Sequence, residues 1–276
     1  MRDSGVPVQA RLGAIAGGYD AILCDVWGVI RDGDRLIGPA IEALIRFRAQ
    51  GGLVCLVSNS PQRAPYLERL LQRMGAPDGV WDVAVTSGDA THALLSGFAP
   101  GPAYKLGPDF DDPIYAGTGL SFAPLDQARL ISCTGLIDYE RETPQDYAAL
   151  LDAAAALGLP MVCANPDIVV QGPEGRLLYC AGALAQAYQR RGGTALFAGK
   201  PHPPIYALAQ AALEQKAGGA VAKDRLLAVG DGVITDLEGA VREGIDCLFI
   251  TGGINSGEME WPDRRSPRWQ APALVW

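Results

Sequence analysis

Four short apolar runs in this chain stop abruptly on polar or charged residues, and this recurrence limits the possible folds more than any bulk property does. Ala21 to Cys24 ends on Asp25, with Val26-Trp27-Gly28 beyond it. Leu53 to Val57 ends on Ser58-Asn59-Ser60, and Thr194 to Ala198 runs into Gly199-Lys200-Pro201. Leu226 to Val229 leads into the acidic turn Gly230-Asp231-Gly232-Val233-Ile234-Thr235-Asp236. Apolar runs without polar alternation fit strands buried on both faces, as in a parallel sheet covered by helices. In such sheets ligands bind beyond the carboxyl ends of the strands. The four tips offer, in order, a carboxylate, a hydroxyl with an amide, an ammonium and two more carboxylates. One aspartate after a strand usually does no more than open a loop. The ordered set is what carries weight.

The intervening segments have helical periodicity. Ala40 to Gln50 places Ala40, Leu44 and Phe47 on one face and closes at Gly51-Gly52, while Pro61 to Met74 is amphipathic. Leu12, Ile15 and Ala16 predict a short lead-in helix within 8–18, and Trp81 to Thr86 predicts a third strand. Strands alternating with helices mean βαβ units, hence an α/β fold with a doubly wound, Rossmann-like parallel core. Ser96 to Pro113 is rich in Gly, Pro and Asp and reads as a linker or hinge.

Beyond it a smaller α/β unit is expected. Its strands are Ala128–Thr134 and Met161–Ala164, and its helices Thr143–Leu157 and Ala183–Arg190. A hairpin of Ile168–Val170 with Arg176–Tyr179 turns at Gly172-Pro173-Glu174-Gly175. The expected division is a core of 1–96 and 197–276 with an inserted α/β cap of 97–196, the strand from Thr194 leading back into the parent domain. Ile205 to Lys216 and Leu237 to Arg242 then predict helices, and Cys247 to Ile250 the last strand. The tail from Glu258 carries no readable pattern.

At 276 residues there is ample chain for a large core. With 31 acidic against 23 basic residues, the formal charge of −8 argues against nucleic acid or an anionic membrane as partner. It leaves an anionic small molecule open, since a cation and a local lysine can reverse the sign within a pocket. Six cysteines without a C-x-x-C pair, mostly in apolar runs, predict buried thiols in a reducing compartment. The N-terminal Met1-Arg2-Asp3-Ser4-Gly5-Val6-Pro7 has no apolar signal core, and no apolar run approaches membrane-spanning length. A cytoplasmic protein is the expectation.

The ordered tips resemble the four motifs of the haloacid dehalogenase (HAD) superfamily, mostly phosphatases. The long insertion between the second and third motifs, with Asn165-Pro166-Asp167 inside it and Gly199-Lys200-Pro201 after it, is similar to the class IIA branch. That branch includes nitrophenyl phosphatase-like, phosphoglycolate and pyridoxal phosphate phosphatases. The resemblance implies Asp25 as nucleophile, attacking phosphorus to form an aspartyl-phosphate. It implies Lys200 as the cation neutralising nucleophile and phosphate, with Ser58 and the backbone amides near Asn59 holding phosphate oxygens. Mg²⁺ would be bound by Asp25, the carbonyl of Trp27 and Asp231, with Asp236 behind them orienting ligands or water. Asn165 and Asp167 match the cap segment that selects substrate. A small phosphorylated metabolite is the implied substrate, and a homodimer the implied assembly.

One position departs from that pattern. The phosphatases carry a second aspartate two residues after the first, as general acid and base, and here Trp27 stands there. The backbone carbonyl survives the exchange, but an indole N–H cannot take up a proton. Positioned proton transfer is typically worth ~10²–10⁴ in rate. Asp32 and Asp34 follow seven or more residues after Asp25 and belong to the next loop by this reading. Two other functions stay open on the sequence: a non-catalytic phosphate-ligand binding or regulatory protein, and a hydrolase of another bond such as carbon–halogen. His202 stands near Lys200 with a structural role as good an explanation as a functional one, and His92 reads as a helix residue.

Overall fold

A computed structural model of the chain describes residues 7–172, 176–253 and 266–276. Strand β1 (Val8–Gln9) and helix α1 (Leu12–Ile15) precede β2 (Ala21–Cys24). The short hairpin β3 (Arg31–Asp32) and β4 (Arg35–Leu36) leads to α2 (Gly38–Ala49), β5 (Leu53–Ser58), α3 (Ala64–Arg73), β6 (Val83–Thr86) and α4 (Ser87–Ser96). Next come β7 (Ala103–Leu106), β8 (Leu130–Cys133), α5 (Ala148–Ala156), β9 (Pro160–Cys163), the hairpin β10 (Val169–Gln171) and β11 (Leu177–Tyr179), α6 (Ala181–Gln189) and β12 (Thr194–Phe197). Helix α7 (Pro203–Ala217), β13 (Leu226–Gly230), α8 (Glu238–Glu243), β14 (Asp246–Ile250) and β15 (Trp269–Ala271) follow.

Two compact units divide the chain: Met1–Ser58 with Pro65–Val85 and Tyr206–Trp276, and Asn59–Ala64 with Thr86–Ile205. The first holds a seven-stranded sheet in the order β1-β15-β14-β13-β2-β5-β6. Strand β2 lies between β13 and β5, and in register Cys24 stands beside Val229 on one side and Leu56 on the other. Ala21–Cys24 and Leu226–Gly230 are buried throughout. Both faces are covered, which is why their sequences show no alternation. Helix α2 starts at Gly38-Pro39, where the missing proline N–H costs nothing, and buries Ala40, Leu44 and Phe47 as its periodicity predicted.

The second unit is built on a four-stranded parallel sheet, β12-β9-β8-β7, with the antiparallel hairpin β10–β11 beside it in sequence. Leu106, Ile131, Met161, Leu151, Leu184 and Tyr188 form much of its core.

Several elements differ from the sequence reading. The Gly/Pro-rich stretch taken as a linker contains β7, whose Ala103 and Leu106 point inward while Tyr104 and Lys105 are half-buried. Four residues flanked by Pro100, Pro102 and Gly107 are swamped by the turn composition around them. Strand β12 pairs with β9, so the apolar run before Lys200 joins the smaller sheet rather than the larger one. A run of Thr-Ala-Leu-Phe fixes a strand but not its neighbour. Helix α3 begins at Ala64, three residues later than Pro61 suggested, because residues 61–63 turn over the start of α4.

The tail also acquires structure: β15 pairs in parallel with β14 and with β1. A partly buried polar chain fastens it. Trp269 Nε1 donates to the Tyr19 hydroxyl (2.7 Å), which donates to Asp246 (2.7 Å), and Arg268 donates to the same carboxylate (2.6 Å). Residues 1–6, 254–265 and the hairpin turn at 173–175 lie outside the described residues. All six cysteines are buried thiols, none cross-linked to another. Among the described residues no helix is long and apolar enough to cross a membrane.

Candidate active site

Within the larger unit, the tips of β2 and β13 form an acidic basin. The Asp25 N–H donates to the Val229 carbonyl (2.8 Å), locking the end of β2 against β13 so that Asp25 and Asp231 emerge side by side. Asp236 is brought back by a π-helical turn over Val233–Leu237, a wide turn that often marks functional sites. Its backbone N–H donates to the Gly232 carbonyl (2.9 Å), and its carboxylate accepts from the Gly232 N–H (3.1 Å) and the Thr235 hydroxyl (3.3 Å). One carboxylate oxygen from each of Asp25, Asp231 and Asp236 lies within 4.8 Å of the others.

The basin depends on missing side chains. Gly28 sits at φ +80°, a left-handed conformation that a Cβ would strain, and that Cβ would collide with the Asp231 carboxylate. A Cβ on Gly253 would strike the same carboxylate from another side. Asp231 and Asp236 are only 3% and 4% exposed. Three like charges crowded this closely with little water repel one another, and a hard divalent cation relieves the crowding. The donor set is all oxygen, which suits Mg²⁺ or Ca²⁺ rather than a thiolate-seeking metal.

Trp27 borders this basin in sequence and contributes no acid. Its ring carries the Arg31 guanidinium at 4.5 Å from the centroid, and Arg31 is held by two bonds to the Gly33 carbonyl (3.1 and 2.8 Å). The Trp27 indole nitrogen is buried without a hydrogen-bond partner. Asp32 and Asp34 belong to the β3–β4 hairpin, Asp32 on its first strand and Asp34 in its turn. Ser58 ends β5, the strand next to β2.

The smaller unit brings together a second group of sequence-predicted residues. Asn59 Oδ1 accepts from the Lys200 backbone N–H (2.7 Å), and Asn59 Nδ2 donates to the Lys200 carbonyl (3.1 Å) and to Asp167 Oδ1 (2.9 Å). The Asp167 N–H in turn donates to Asn165 Oδ1 (3.0 Å), an Asx turn that shapes the Asn165-Pro166-Asp167 segment. Lys200 is 3% exposed, Asn59 7% and Asn165 8%. His202 stacks on Phe197 with ring centroids 4.7 Å apart, and His92 Nδ1 contacts the Ile114 carbonyl (2.9 Å) from helix α4.

Several participants were not foreseen. Thr86 and Asp89 form a reciprocal capping box at the start of α4, a spacing legible in Thr86-Ser87-Gly88-Asp89. Asp89 reaches further, accepting from the Ala64 N–H (3.0 Å) and Arg63 Nε (2.8 Å), so the helix start also fastens the loop after Asn59. Gln62 of that loop donates to Asp111 (2.5 Å) and to the Phe110 carbonyl (3.1 Å). Burial raises the Asp111 carboxyl to about 6, against a downward pull from the hydrogen bonds of Thr134 and Gln62. Nothing in the run Asp109-Phe110-Asp111-Asp112 distinguishes the buried aspartate from its exposed neighbours.

Residues 22–120 match a family described as haloacid dehalogenase-like hydrolase, and residues 197–274 match one described as HAD-hydrolase-like. A crystal structure of a haloacid dehalogenase-like family hydrolase from Brucella suis is 42% identical, covering 97% of this chain and 100% of its own, with a TM-score of 0.89. Chronophin of Rattus norvegicus is 29% identical over 262 residues, 90% of this chain and 82% of that protein. A glycerol phosphate phosphatase from Mycobacterium tuberculosis, crystallised with magnesium, is 27% identical with a TM-score of 0.71, covering 93% of this chain and 76% of its own.

Proposed function

Because this chain belongs to the haloacid dehalogenase-like hydrolase family, we propose that it is a Mg²⁺-dependent phosphatase acting on a small phosphate ester through an aspartyl-phosphate at Asp25. The observation that carries this reading is the convergence of the Asp25, Asp231 and Asp236 carboxylates within 4.8 Å at adjoining strand tips. The glycerol phosphate phosphatase of Mycobacterium tuberculosis, crystallised with magnesium, supports both the metal and the ester class.

Asp25, the Trp27 carbonyl and Asp231 would hold the cation, and Asp236 would orient them. When bound, the cation supplies positive charge where phosphate oxygens gather. Asp25 attacks phosphorus with its other oxygen, breaking the P–O bond to the leaving group. Lys200 neutralises nucleophile and phosphate, while the Ser58 hydroxyl and the backbone amide of Asn59 bind phosphate oxygens. Phosphoryl transfer depends mainly on positioning and positive charge, and these groups supply both for the first step. In this reading residues 97–196 form the cap, and its Asn165-Pro166-Asp167 segment bears on substrate choice.

The missing step is proton transfer. With Trp27 in place of a second aspartate, an alkoxide departs unprotonated and the water attacking the aspartyl-phosphate has no base. Aryl and acyl phosphates, whose leaving groups are weak bases, suffer less. The same observation favours a second reading, a phosphate-binding protein with lost turnover. The two are separated by assaying nitrophenyl phosphate with and without Mg²⁺ and by mass spectrometry after incubation with acetyl phosphate. Slow metal-dependent turnover and a phosphoryl adduct on Asp25 support the phosphatase. Neither signal, in a protein that still binds Mg²⁺, leaves the binding protein.

A further inference from the structure

We propose that Asn59 is a positioning residue whose side-chain amide fixes the Lys200 ammonium and couples it to the Asn165-Pro166-Asp167 segment, an inference that rests on the reading of Lys200 as the phosphate's cation. The amide makes two bonds to a single residue, accepting from the Lys200 N–H (2.7 Å) and donating to the Lys200 carbonyl (3.1 Å). These groups flank the Lys200 Cα, so together they set the direction in which its Cβ leaves the backbone. A lysine side chain has four rotatable bonds and much rotamer freedom, and its tip is only as well placed as its root. Lys200 is 3% exposed, so the rest of its path is enclosed by protein.

The second Asn59 N–H goes to Asp167 Oδ1 (2.9 Å). Both amide hydrogens are therefore spent within the protein, and Asn59 can donate to a phosphate only through its backbone N–H. Aspartate in its place could accept from the Lys200 N–H but could donate to neither the Lys200 carbonyl nor Asp167. Asparagine satisfies all three contacts, which a plain phosphate-binding role for the side chain does not require.

Gly199 gives independent support. A Cβ there would collide with Asn59 Oδ1, Ser87 Oγ and Pro166 Cδ, so three separate elements close onto this one residue before the lysine. Asp167 is itself anchored, its N–H bonded to Asn165 Oδ1 (3.0 Å). A displacement of that segment reaches Lys200 through the Asn59 amide as well as through the packing of Pro166 against Gly199. Asp167 thereby acts on the lysine through Asn59.

The test is calorimetric titration of inorganic phosphate into the Mg²⁺-loaded full chain, comparing wild type with Asn59→Ala, Lys200→Ala and the double variant. Asn59→Ala should weaken phosphate binding about tenfold, the scale of one lost hydrogen bond's worth of placement. Its Mg²⁺ affinity without phosphate should stay that of wild type. Lys200→Ala should weaken phosphate at least as much, and adding Asn59→Ala to it should cost little more, since the positioned group is already gone.

Should Asn59→Ala fail to fold, the near-isosteric Asn59→Asp carries the comparison. It sets two carboxylates face to face and should lose phosphate affinity, and Asp167→Asn added to it should recover part of the loss. Full phosphate affinity in Asn59→Ala, full additivity with Lys200→Ala, or no recovery in the swapped pair overturns the inference. Phosphate affinity in Lys200→Ala equal to that of wild type removes the lysine's assignment and the inference with it. Wild type that binds no phosphate at all removes the phosphatase reading instead, before Asn59 is touched.

Discussion

In the larger unit three carboxylates crowd together at strand tips, and small residues make room for them. In the smaller unit a lysine is buried with its backbone held by an asparagine amide, and an aspartate shares that amide. The first arrangement concentrates charge of one sign, and in the proposed reading it gains stability from a cation arriving from outside. The second is tied by hydrogen bonds among its own residues. One region is therefore expected to answer to metal, and the other to the identity of single polar side chains. Substitutions can press on that contrast from either side.

The largest effect belongs to the basin. Asp231→Ala should reduce Mg²⁺ binding below detection in calorimetry and abolish metal-dependent turnover, since it removes a proposed ligand that is almost fully buried. Unchanged Mg²⁺ affinity would mean that the basin is not the metal site and that the contrast has been misplaced.

On the other side, Asp111 lies beneath the loop that carries Asn59. Its carboxyl is raised from 3.8 to about 6, so the native protein holds this proton more tightly than the unfolded chain does. The associated stability is complete below about pH 4 and is lost as pH rises through about 6. Asp111→Asn keeps an acceptor for Gln62 and removes the titration. Urea denaturation should show the variant gaining on wild type by up to about 3 kcal/mol between pH 4 and pH 7. A gap that stays flat across that range would show that Asp111 does not change protonation on folding.

Trp27→Asp returns to the basin and asks whether its weakness is only the missing acid. Turnover of nitrophenyl phosphate should rise by up to ~10²-fold, with alkyl phosphates gaining more than aryl ones. The unpartnered indole N–H suggests that the exchange leaves no broken hydrogen bond behind. Fast alkyl-phosphate hydrolysis by wild type would instead reveal another proton donor.

The smallest effect concerns the scaffold of the Asn59 loop. Thr86→Ala removes half of the capping box on α4 and should cost about 1 kcal/mol in thermal or urea unfolding, with Mg²⁺ affinity unmoved. A change in metal affinity there would blur the separation between basin and clamp.

The sequence by itself determined that the chain forms a parallel α/β sheet and which strand tips end on carboxylates and other polar groups. Runs such as Ala21–Cys24 and Leu226–Gly230 are buried on both faces, and burial leaves its mark in unbroken apolar composition. The acidic basin was legible for the same reason: Asp25 and Asp231 each follow such a run directly, and adjacent parallel strands deliver their tips together. Pairing partners were not legible. Thr194–Phe197 joins the smaller sheet, and Trp269–Ala271 inserts between β1 and β14 in the larger one, because hydrogen-bond register depends on which chain edge is within reach. Nor could sequence show that the Asn59 side chain turns to the Lys200 backbone, or that Asp111 alone among its acidic neighbours is enclosed. Residues 59 and 200 are far apart along the chain, and 111 differs from 109 and 112 only in burial and in the partners that burial brings. Composition records what a residue can do; tertiary packing decides which partner it meets and how much water remains beside it.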